Sequence, residues 1–244
     1  MAIFNLKIAG HTGTVSSLFE STPQYFKNYL TQESSEFSFC VTREDIAFEQ
    51  ADLLEEAHRD GFKPRVFTDP FLERAAIQRA FAEFLFERDT LLFHGSALAV
   101  DGQGYLFTAK SGTGKSTHSE KWNRLFGAEY INDDKPYISV KDEFFIHGSP
   151  WMGVHRLGNN VSYPLSAICI ICRSENNRIE RVQKTDVFSE LIKQTYMPKD
   201  CKNAKETLFL VSQLSFGVEV YKLHCNMDDE AANVAYNSLA HLFL

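Results

Sequence analysis

The sequence has few of the features that mark secreted, membrane-spanning or nucleic-acid-binding proteins. Its 244 residues include only five cysteines, an odd number that makes no disulfide framework. No run approaches the ~18 apolar residues of a membrane span, and no N-terminal signal peptide is visible. Asp and Glu (32) outnumber Lys and Arg (25), so the net charge of -7 offers no basic face to nucleic acid. The sequence therefore predicts a cytoplasmic protein with neither nucleic acid nor membrane as partner.

A zinc or redox site is also disfavoured. Cys169 and Cys172 form a C-x-x-C pair inside the run "LSAICIICR", and no second cysteine pair at zinc-site spacing accompanies them. The run is typical of a buried strand, on which residues three apart point to opposite faces. We therefore predict that both cysteines pack in the core.

What the sequence does have is enough apolar material for a large α/β core, with 44% hydrophobic residues and 21 Phe. Residues 1–68 are interpreted as a small α/β segment, with strands at "IFNLKIA" and "FSFCVT" and a polar helix after Thr42. A helix capped by Asp69, with Pro70 in its first turn, opens a second domain predicted to span residues 69–244.

The second domain contains a loop of unusual composition between a strand and a helix. The segments "TLLFHGSALAV" and "YLFTA" predict an antiparallel hairpin with Gly102 and Gln103 at its tip. "AKSGTGKST" follows, and then a helix from Lys115 to Phe126. Strands before such loops usually belong to parallel sheets, so this hairpin predicts a mixed, largely antiparallel sheet with flanking helices.

The loop nearly matches the phosphate-loop pattern G-x-x-x-x-G-K-[ST], with Ala109 in place of the first glycine. Main-chain N–H groups in such a loop cradle phosphate oxygens, and the helix that begins there adds a favourable dipole. Lys115 is predicted to reach the β- and γ-phosphates, and the Ser116 hydroxyl to bind Mg²⁺. The predicted nucleotide-binding residues are Ser111, Gly112, Thr113, Gly114, Lys115, Ser116 and Thr117.

An acidic pair follows the helix in the run "INDDKP". A helix of about twelve residues and a short returning strand cover similar lengths, so Asp133 and Asp134 should return to the level of the loop. One carboxylate can hold a metal ion while the other accepts a proton from an attacking hydroxyl. With Gly102 and Gln103 as a two-residue turn, His94 is predicted to lie beside Ser111.

The segment "SPWMGVHRLG" supplies candidate substrate contacts. Trp151 can stack on a substrate, and His155 or Arg156 can bind a polar end or a phosphate. The alternative is a connecting loop whose tryptophan is buried in the core.

The combination of His94-Gly95, a hairpin into "AKSGTGKS", and Asp133-Asp134 resembles the catalytic domain of HPr kinase/phosphorylase and related proteins with the phosphoenolpyruvate carboxykinase-like fold. The resemblance extends over about residues 90–240 and is strongest to an uncharacterised bacterial branch. It implies that His94 supports Asp133, which acts as base, and that Asp134 and Ser116 bind Mg²⁺, with Lys115 in a catalytic role.

The chain departs from that pattern in three places. Ala109 replaces a glycine, Thr117 replaces an acidic residue that often follows the loop, and the C-terminal signature that engages HPr is not recognisable. A shortened relative that phosphorylates a hydroxyl of a small molecule or a serine-bearing peptide fits these departures better than one acting on HPr.

The sequence thus predicts a kinase dependent on ATP and Mg²⁺, and leaves homo-oligomerisation open. The first alternative is a nucleotide-binding sensor or adaptor without transfer activity. A weaker alternative is a carboxykinase-type reaction, for which the chain is short and shows no set of arginines for a substrate carboxylate.

Overall fold

The structure, a computed structural model, describes residues 1–59, 61, 63–110, 112–198 and 201–239. By its internal contacts the chain divides into two compact units, Met1–Leu85 and Phe86–Leu244. Residues 69–85 group with the first unit, which differs from the predicted division after residue 68.

The first unit is a small α/β assembly built on a four-stranded sheet in the order β3-β1-β2-β4. The strands are β1 Ala2–Ile8, β2 His11–Ser17, β3 Leu30–Thr31 and β4 Phe37–Cys40. The helices are α1 Thr22–Tyr25, α2 Arg43–Arg59 and α3 Asp69–Phe86, with a 3-10 turn at Lys27–Tyr29. The predicted polar helix after Thr42 is present as α2.

The second unit contains the remaining elements, which alternate between hairpins and helices. Its strands are β5 Thr90–Leu92, β6 Ser96–Val100, β7 Gln103–Thr108, β8 Glu129–Asn132, β9 Tyr137–Val140, β10 Phe144–His147, β11 Ser162–Arg173, β12 Arg178–Arg181 and β13 Glu219–Cys225. Its helices are α4 Lys115–Phe126, α5 Lys184–Ile192, α6 Cys201–Gly217 and α7 Asp229–Leu239. Among the described helices of the chain, none combines the length and the apolar character needed to cross a membrane.

The long strand β11 organises the sheet of the second unit. The strand order is β5-β9-β10-β11-β7-β6-β8, and β13 also pairs with β11 and carries β12 beside it. β11 runs parallel to β7 and to β13, whereas the other described strand pairs of this unit are antiparallel. The predicted mixed, largely antiparallel sheet with flanking helices is therefore confirmed.

Helices cover both faces of this sheet and enclose two apolar clusters. On one face Val187 of α5 and Leu214 of α6 pack with Ile170. On the other face Trp122 of α4 and Ala235 of α7 pack with Phe107. Ile170 and Phe107 lie on neighbouring parallel strands, so the carboxyl ends of those strands are flanked by α4 on one face and α5 on the other.

The two cysteines of the C-x-x-C pair lie on opposite faces, as predicted. Cys169 is fully buried in the cluster beside α4, and Cys172 is half-buried against the cluster beside α5. Burial raises the pKa of the Cys169 thiol to about 12. Within the described ranges no three His, Cys, Asp or Glu side chains are grouped in a way that could hold a metal ion by themselves.

The β6–β7 hairpin is present, but its turn lies one residue earlier than predicted. Val100 pairs with Gln103, and Asp101 and Gly102 form the tip with φ values of 52° and 78°. Two successive positive φ angles favour an Asp-Gly turn, in which glycine has no steric penalty. The predicted register was therefore wrong, and the neighbour predicted for His94, Ser111, lies outside the described residues.

Candidate active site

A glycine-containing loop joins the end of β7 to the start of α4. This segment, residues 109–114, is called the glycine loop below. Gly112 has a φ of 75° and Gly114 a φ of 124°, a region that side chains other than glycine rarely adopt. The Thr113 amide and hydroxyl both donate to the Lys110 carbonyl, at 3.2 and 2.7 Å. The N–H groups in the first turn of α4 lack carbonyls one turn before them, so they can donate to an anion.

The unusual Ala109 is accommodated because it is a core residue. It is 5% exposed and packs in the cluster that contains Phe107 and Trp122. Its φ is not positive, in contrast to those of Gly112 and Gly114. A methyl group at this position is therefore compatible with the loop, as expected from the sequence.

Arg173 holds the glycine loop from the neighbouring strand. Its guanidinium donates to the Gly112 carbonyl and, at 3.3 Å, to the Thr113 carbonyl. Arg173 is the last residue of β11, which runs parallel to β7, so both strand ends lie at the same edge. Arg173 was not predicted from the sequence because the parallel pairing of β7 with β11 joins segments about sixty residues apart.

Lys115 is half-buried at the start of α4 and folds back over the loop. Its Nζ donates to the Ala109 carbonyl at 2.9 Å. Burial lowers the pKa of Lys115. The Asp134 carboxylate acts to raise this pKa, and the Lys135 ammonium acts to lower it further. The ammonium is thus held near Asp134, and it can turn from the Ala109 carbonyl to a bound anion.

Asp134 lies among cationic or potentially cationic groups. Its Oδ1 is 3.4 Å from His94 Nε2, and its Oδ2 is 3.1 Å from Lys135 Nζ. Burial alone would raise the pKa of Asp134, but the His94 hydrogen bond and the Lys135 charge bring it to about 2. His94 therefore contacts Asp134 and not Asp133, which corrects the pairing implied by the family resemblance.

Asp133 has a different environment on the other side of the same turn. Its carboxylate accepts the main-chain N–H of Gly153 at 2.7 Å and that of Leu157 at 3.3 Å. Within the described parts of the chain, no Lys, Arg or His forms an ion pair with it. Burial raises the pKa of Asp133, partly offset by these two backbone N–H groups.

The turn that separates the two carboxylates is fixed by Asn132, which is fully buried. Its side-chain oxygen accepts the amides of Asp134 at 2.8 Å and of Lys135 at 2.6 Å. Its side-chain nitrogen donates to the Ser149 carbonyl at 2.9 Å. The main-chain N–H of Gly95 also donates to the Asp134 carbonyl at 3.0 Å. The predicted return of Asp134 to the level of the loop agrees with its contact with His94 and its effect on Lys115.

The segment 148–160 contacts Asp133 through its main chain. Trp151 is 7% exposed and meets the Tyr137 ring edge-on at 6.4 Å between centroids. His155 and Arg156 are exposed, and Arg156 has a positive φ of 53°. The burial of Trp151 agrees with a packing role, whereas substrate contact by the three side chains stays a prediction.

Two cavities open on opposite sides of the glycine loop. The α5 cavity, about 550 Å³, lies between the loop, α5, the end of β11 and the middle of β13. The α4 cavity, about 680 Å³, lies between α4 and the segments that follow β11 and β13. The α5 cavity is lined by Lys110, Ile170, Arg173, Glu190, Gln194 and Lys222, among others. The α4 cavity is lined by Thr117, Lys121, Ile171, Glu175, Asn226 and Met227, among others.

The chemistry of Ser116 and Asp134 fits a magnesium ion bound together with phosphate. Both offer oxygen donors, Ser116 is exposed at the start of α4, and Asp134 is ionised at neutral pH. Mg²⁺ in nucleotide sites commonly takes one or two protein oxygens and completes its shell with phosphate and water. Two protein donors are therefore enough, although they would not form a metal site alone.

Comparison with solved structures shows a distant likeness in fold. No family model matches the chain, and no curated protein matches it. A solved structure described as "Structure of the Hpr(Ser) kinase/phosphatase from Coxiella burnetii" is similar over 62% of this chain and 97% of its own, at 12% identity and a TM-score of 0.36. This is a remote relationship in fold at most, so the function has to be argued from the site.

Proposed function

We propose that the protein is a kinase that transfers the γ-phosphoryl group of ATP to a hydroxyl group, with Mg²⁺ as cofactor. The observation that carries the proposal is the convergence of three features at the end of β7. These are a loop with two positive-φ glycines at a helix N-terminus, the Lys115 ammonium, and the Asp134–His94 pair whose carboxylate acts on that ammonium. A phosphate-binding loop, a lysine and a carboxylate that can hold a metal ion are recurring parts of proteins that transfer phosphoryl groups.

The glycine loop and Lys115 would bind the phosphates. The main-chain N–H groups at the start of α4 donate to anionic oxygens, and no side chain of Gly112 or Gly114 crowds them. The Lys115 ammonium would leave the Ala109 carbonyl and donate to the β- and γ-phosphates. Ser111, Thr113, Ser116 and Thr117 complete the proposed set of nucleotide-binding residues.

The α4 cavity is the proposed position of the nucleoside. Thr117 lines it from the first turn of α4, beside the loop. Ile171 and Met227 provide apolar surface for a flat base, and Asn226 and Glu175 provide polar groups for a base or ribose edge. The α5 cavity then lies on the opposite side of the loop, from which an acceptor could approach in line.

The two aspartates would divide the remaining work. Asp133 lacks a cationic partner among the described residues, so it can take the acceptor proton without breaking an ion pair. Asp134 is kept ionised by His94 and Lys135, which suits a carboxylate that, with Ser116, holds a cation. His94 then positions Asp134 and is itself oriented by Gln194, whose Oε1 lies 3.1 Å from His94 Nδ1. Mg²⁺, when bound with ATP, would neutralise charge on the transferring phosphoryl group.

A transfer screen tests the proposal. The purified protein is incubated with Mg²⁺ and ATP labelled at the γ-phosphate, together with pools of hydroxyl metabolites and serine peptides, and labelled products are identified by mass spectrometry. Lys115→Ala should abolish labelling because it removes the loop cation, whereas Lys141→Ala, in the exposed β9–β10 turn, should not. Nucleotide binding without labelling of any pool would contradict the kinase and favour the sensor.

A further inference from the structure

The α5 cavity is the most positively charged opening described beside the glycine loop. Lys110, Arg173 and Lys222 line it, against the single carboxylate of Glu190. Glu190 is itself 3.5 Å from Lys193 on the same helix. The cavity thus has an excess of positive charge although the whole chain is acidic.

Its cations come from the loop after β7 and from the parallel strands β11 and β13, so they lie along the sheet side of the opening. Lys110 is exposed in the glycine loop, Arg173 ends β11, and Lys222 is half-buried in the middle of β13. Arg173 uses two of its donors on loop carbonyls, and a guanidinium has five. Lys222 is paired across the strands with Glu180, which also accepts from His224 at 3.0 Å. Within the described chain Lys222 makes no ion pair of its own.

The cavity is connected to Asp134 through two side chains. Gln194 lines the cavity and contacts His94, and His94 contacts Asp134. Lys115, whose ammonium is held near Asp134, is the residue proposed to reach the β- and γ-phosphates. The transferring phosphoryl group would therefore face the α5 cavity. The α4 cavity has the apolar surface that suits a nucleoside.

We propose that the α5 cavity binds the phosphate acceptor, and that this acceptor is a small hydroxyl compound carrying a carboxylate or phosphate group. The anionic group would be bound by Lys222, Lys110 and the remaining donors of Arg173. A volume of about 550 Å³ is within the range of small-molecule sites. The inference rests on the proposed kinase function and specifies its substrate class, small and anionic in contrast to an uncharged peptide serine.

The proposed step balances as a phosphoryl transfer. A bond forms between the acceptor oxygen and the γ-phosphorus, and the bond from that phosphorus to the bridging oxygen of the diphosphate breaks. The bonding pair leaves with ADP, and the hydroxyl proton passes to Asp133. The cations of the α5 cavity take no part in bond making; they hold the acceptor, so their loss should appear in KM before kcat.

The test uses pairs of compounds with and without an anionic group. Glycerol, glycerate and glycerol 3-phosphate are compared as acceptors with the full chain, Mg²⁺ and ATP, and N-acetylserine amide represents an uncharged peptide serine. The charged compounds should be preferred over glycerol and over the serine amide by at least about tenfold in kcat/KM, the value of one charge-assisted hydrogen bond. The comparison of glycerate with glycerol 3-phosphate shows whether the site prefers a carboxylate or a phosphate group.

Three variants localise the effect. Lys222→Met keeps the aliphatic stem; it should raise KM for the charged acceptor about tenfold and leave KM for ATP unchanged. Lys110→Ala removes the cation at the other end of the cavity and should also raise KM for the charged acceptor about tenfold. Lys141→Met, remote from the cavity in the β9–β10 turn, should change neither. Two results would overturn the inference without affecting the kinase function. The first is equal use of glycerol and glycerate as acceptors. The second is a KM for the charged acceptor that is the same in Lys222→Met and Lys110→Ala as in the parent.

A binding measurement without ATP separates the two proposals. Glycerol 3-phosphate should raise the thermal unfolding temperature of the parent and of Lys141→Met, and the shift should be lost in Lys222→Met. If this anion binding is found but no labelled product forms with any acceptor, the kinase function fails and the anionic site remains. If glycerol 3-phosphate raises the unfolding temperature of Lys222→Met as much as that of the parent, the α5 cavity is not the anion site.

Discussion

Charged side chains are buried in both units of the molecule, but their partners differ. In the first unit Arg79 lies 2.7 Å from Glu49 and 2.9 Å from Asp45. The fully buried Glu73 accepts the amides of Leu18 and Phe19 and the hydroxyl of Thr22. Each of these charges has its partners within the unit.

The charges near the glycine loop of the second unit are compensated less completely. Lys115 donates only to a main-chain carbonyl, and Asp133 accepts two N–H groups without an ion pair among the described residues. A buried charge with every partner in place serves the fold, and a half-buried charge without a counter-ion remains able to interact with a ligand. Substitutions in the first group should therefore lower stability, and those in the second should lower binding or turnover.

The largest effect is expected for Glu73→Ala. The substitution leaves three donors without their acceptor in a site closed to water, which should cost about 3–5 kcal/mol in the free energy of unfolding. Urea denaturation measures this difference, and Glu20→Ala serves as control because Glu20 is 88% exposed. Equal unfolding free energies for the two variants would show that the Glu73 contacts do not stabilise the unit.

Asp133→Asn should reduce turnover by about 10²-fold or more, the usual contribution of a positioned base, at little cost in stability. The amide oxygen can still accept the shorter bond from the Gly153 N–H, and only the longer bond from Leu157, which goes to the other carboxylate oxygen, is lost, so the turn should remain folded. Rapid-quench transfer assays and nucleotide calorimetry give the two readouts. If turnover is retained here and lost in Asp134→Asn, the base is the carboxylate that His94 contacts, and the proposed roles are exchanged.

His118 should make the second unit sensitive to acid. It is 3% exposed, its Nε2 has no hydrogen-bond partner, and burial lowers its pKa to about 3 from 6.5. The folded state disfavours the protonated form, so stability is complete above pH 6.5 and falls as the pH drops toward 3. At pH 5 the loss should be about 2 kcal/mol.

Unfolding free energies of the parent and of His118→Phe at pH 7 and pH 5 measure this contribution. The variant should lose about 2 kcal/mol less than the parent between the two pH values. The exposed His58→Gln serves as control and should keep the parent's difference. An equal pH dependence in His118→Phe and the parent would place the acid sensitivity in other groups.

The smallest effect is expected for Trp151→Ala combined with Arg156→Ala. If the segment 148–160 contacts the acceptor, kcat/KM for the acceptor should fall by about tenfold and nucleotide affinity should be retained. Because Trp151 is buried, Arg156→Ala alone is the matched control for lost packing. If both variants show the acceptor kinetics of the parent, the segment does not contact the acceptor, and its role is limited to the main-chain hydrogen bonds to Asp133.

Local patterns predicted much of this arrangement. The Asp-Pro start of α3, the β6–β7 hairpin, the start of α4 at Lys115 and the opposite faces of Cys169 and Cys172 all depend on residues close in sequence. The turn register was wrong because "DGQG" allows two placements, and only the positive φ angles of Asp101 and Gly102 distinguish them. That shift also displaced the predicted neighbour of His94.

Long-range contacts could not be read in the same way. Arg173 reaches the glycine loop because β11 is parallel to β7, and Gln194 reaches His94 from a point 100 residues away in the chain. His94 contacts Asp134 and not Asp133 because the two carboxylates point in different directions from the turn that Asn132 holds. Hydrophobic periodicity carries no information about these directions, since each is decided by tertiary packing.

Calorimetric titration of MgATP into the parent protein, Lys115→Ala and Lys141→Ala tests the central claim most directly. The claim is that the glycine loop and Lys115 bind the nucleotide phosphates. We expect saturable binding to the parent and to Lys141→Ala, and a loss of about 1.5–3 kcal/mol in Lys115→Ala, the range of a charge-assisted hydrogen bond. Unchanged affinity in Lys115→Ala, or no binding to the parent, would contradict the account.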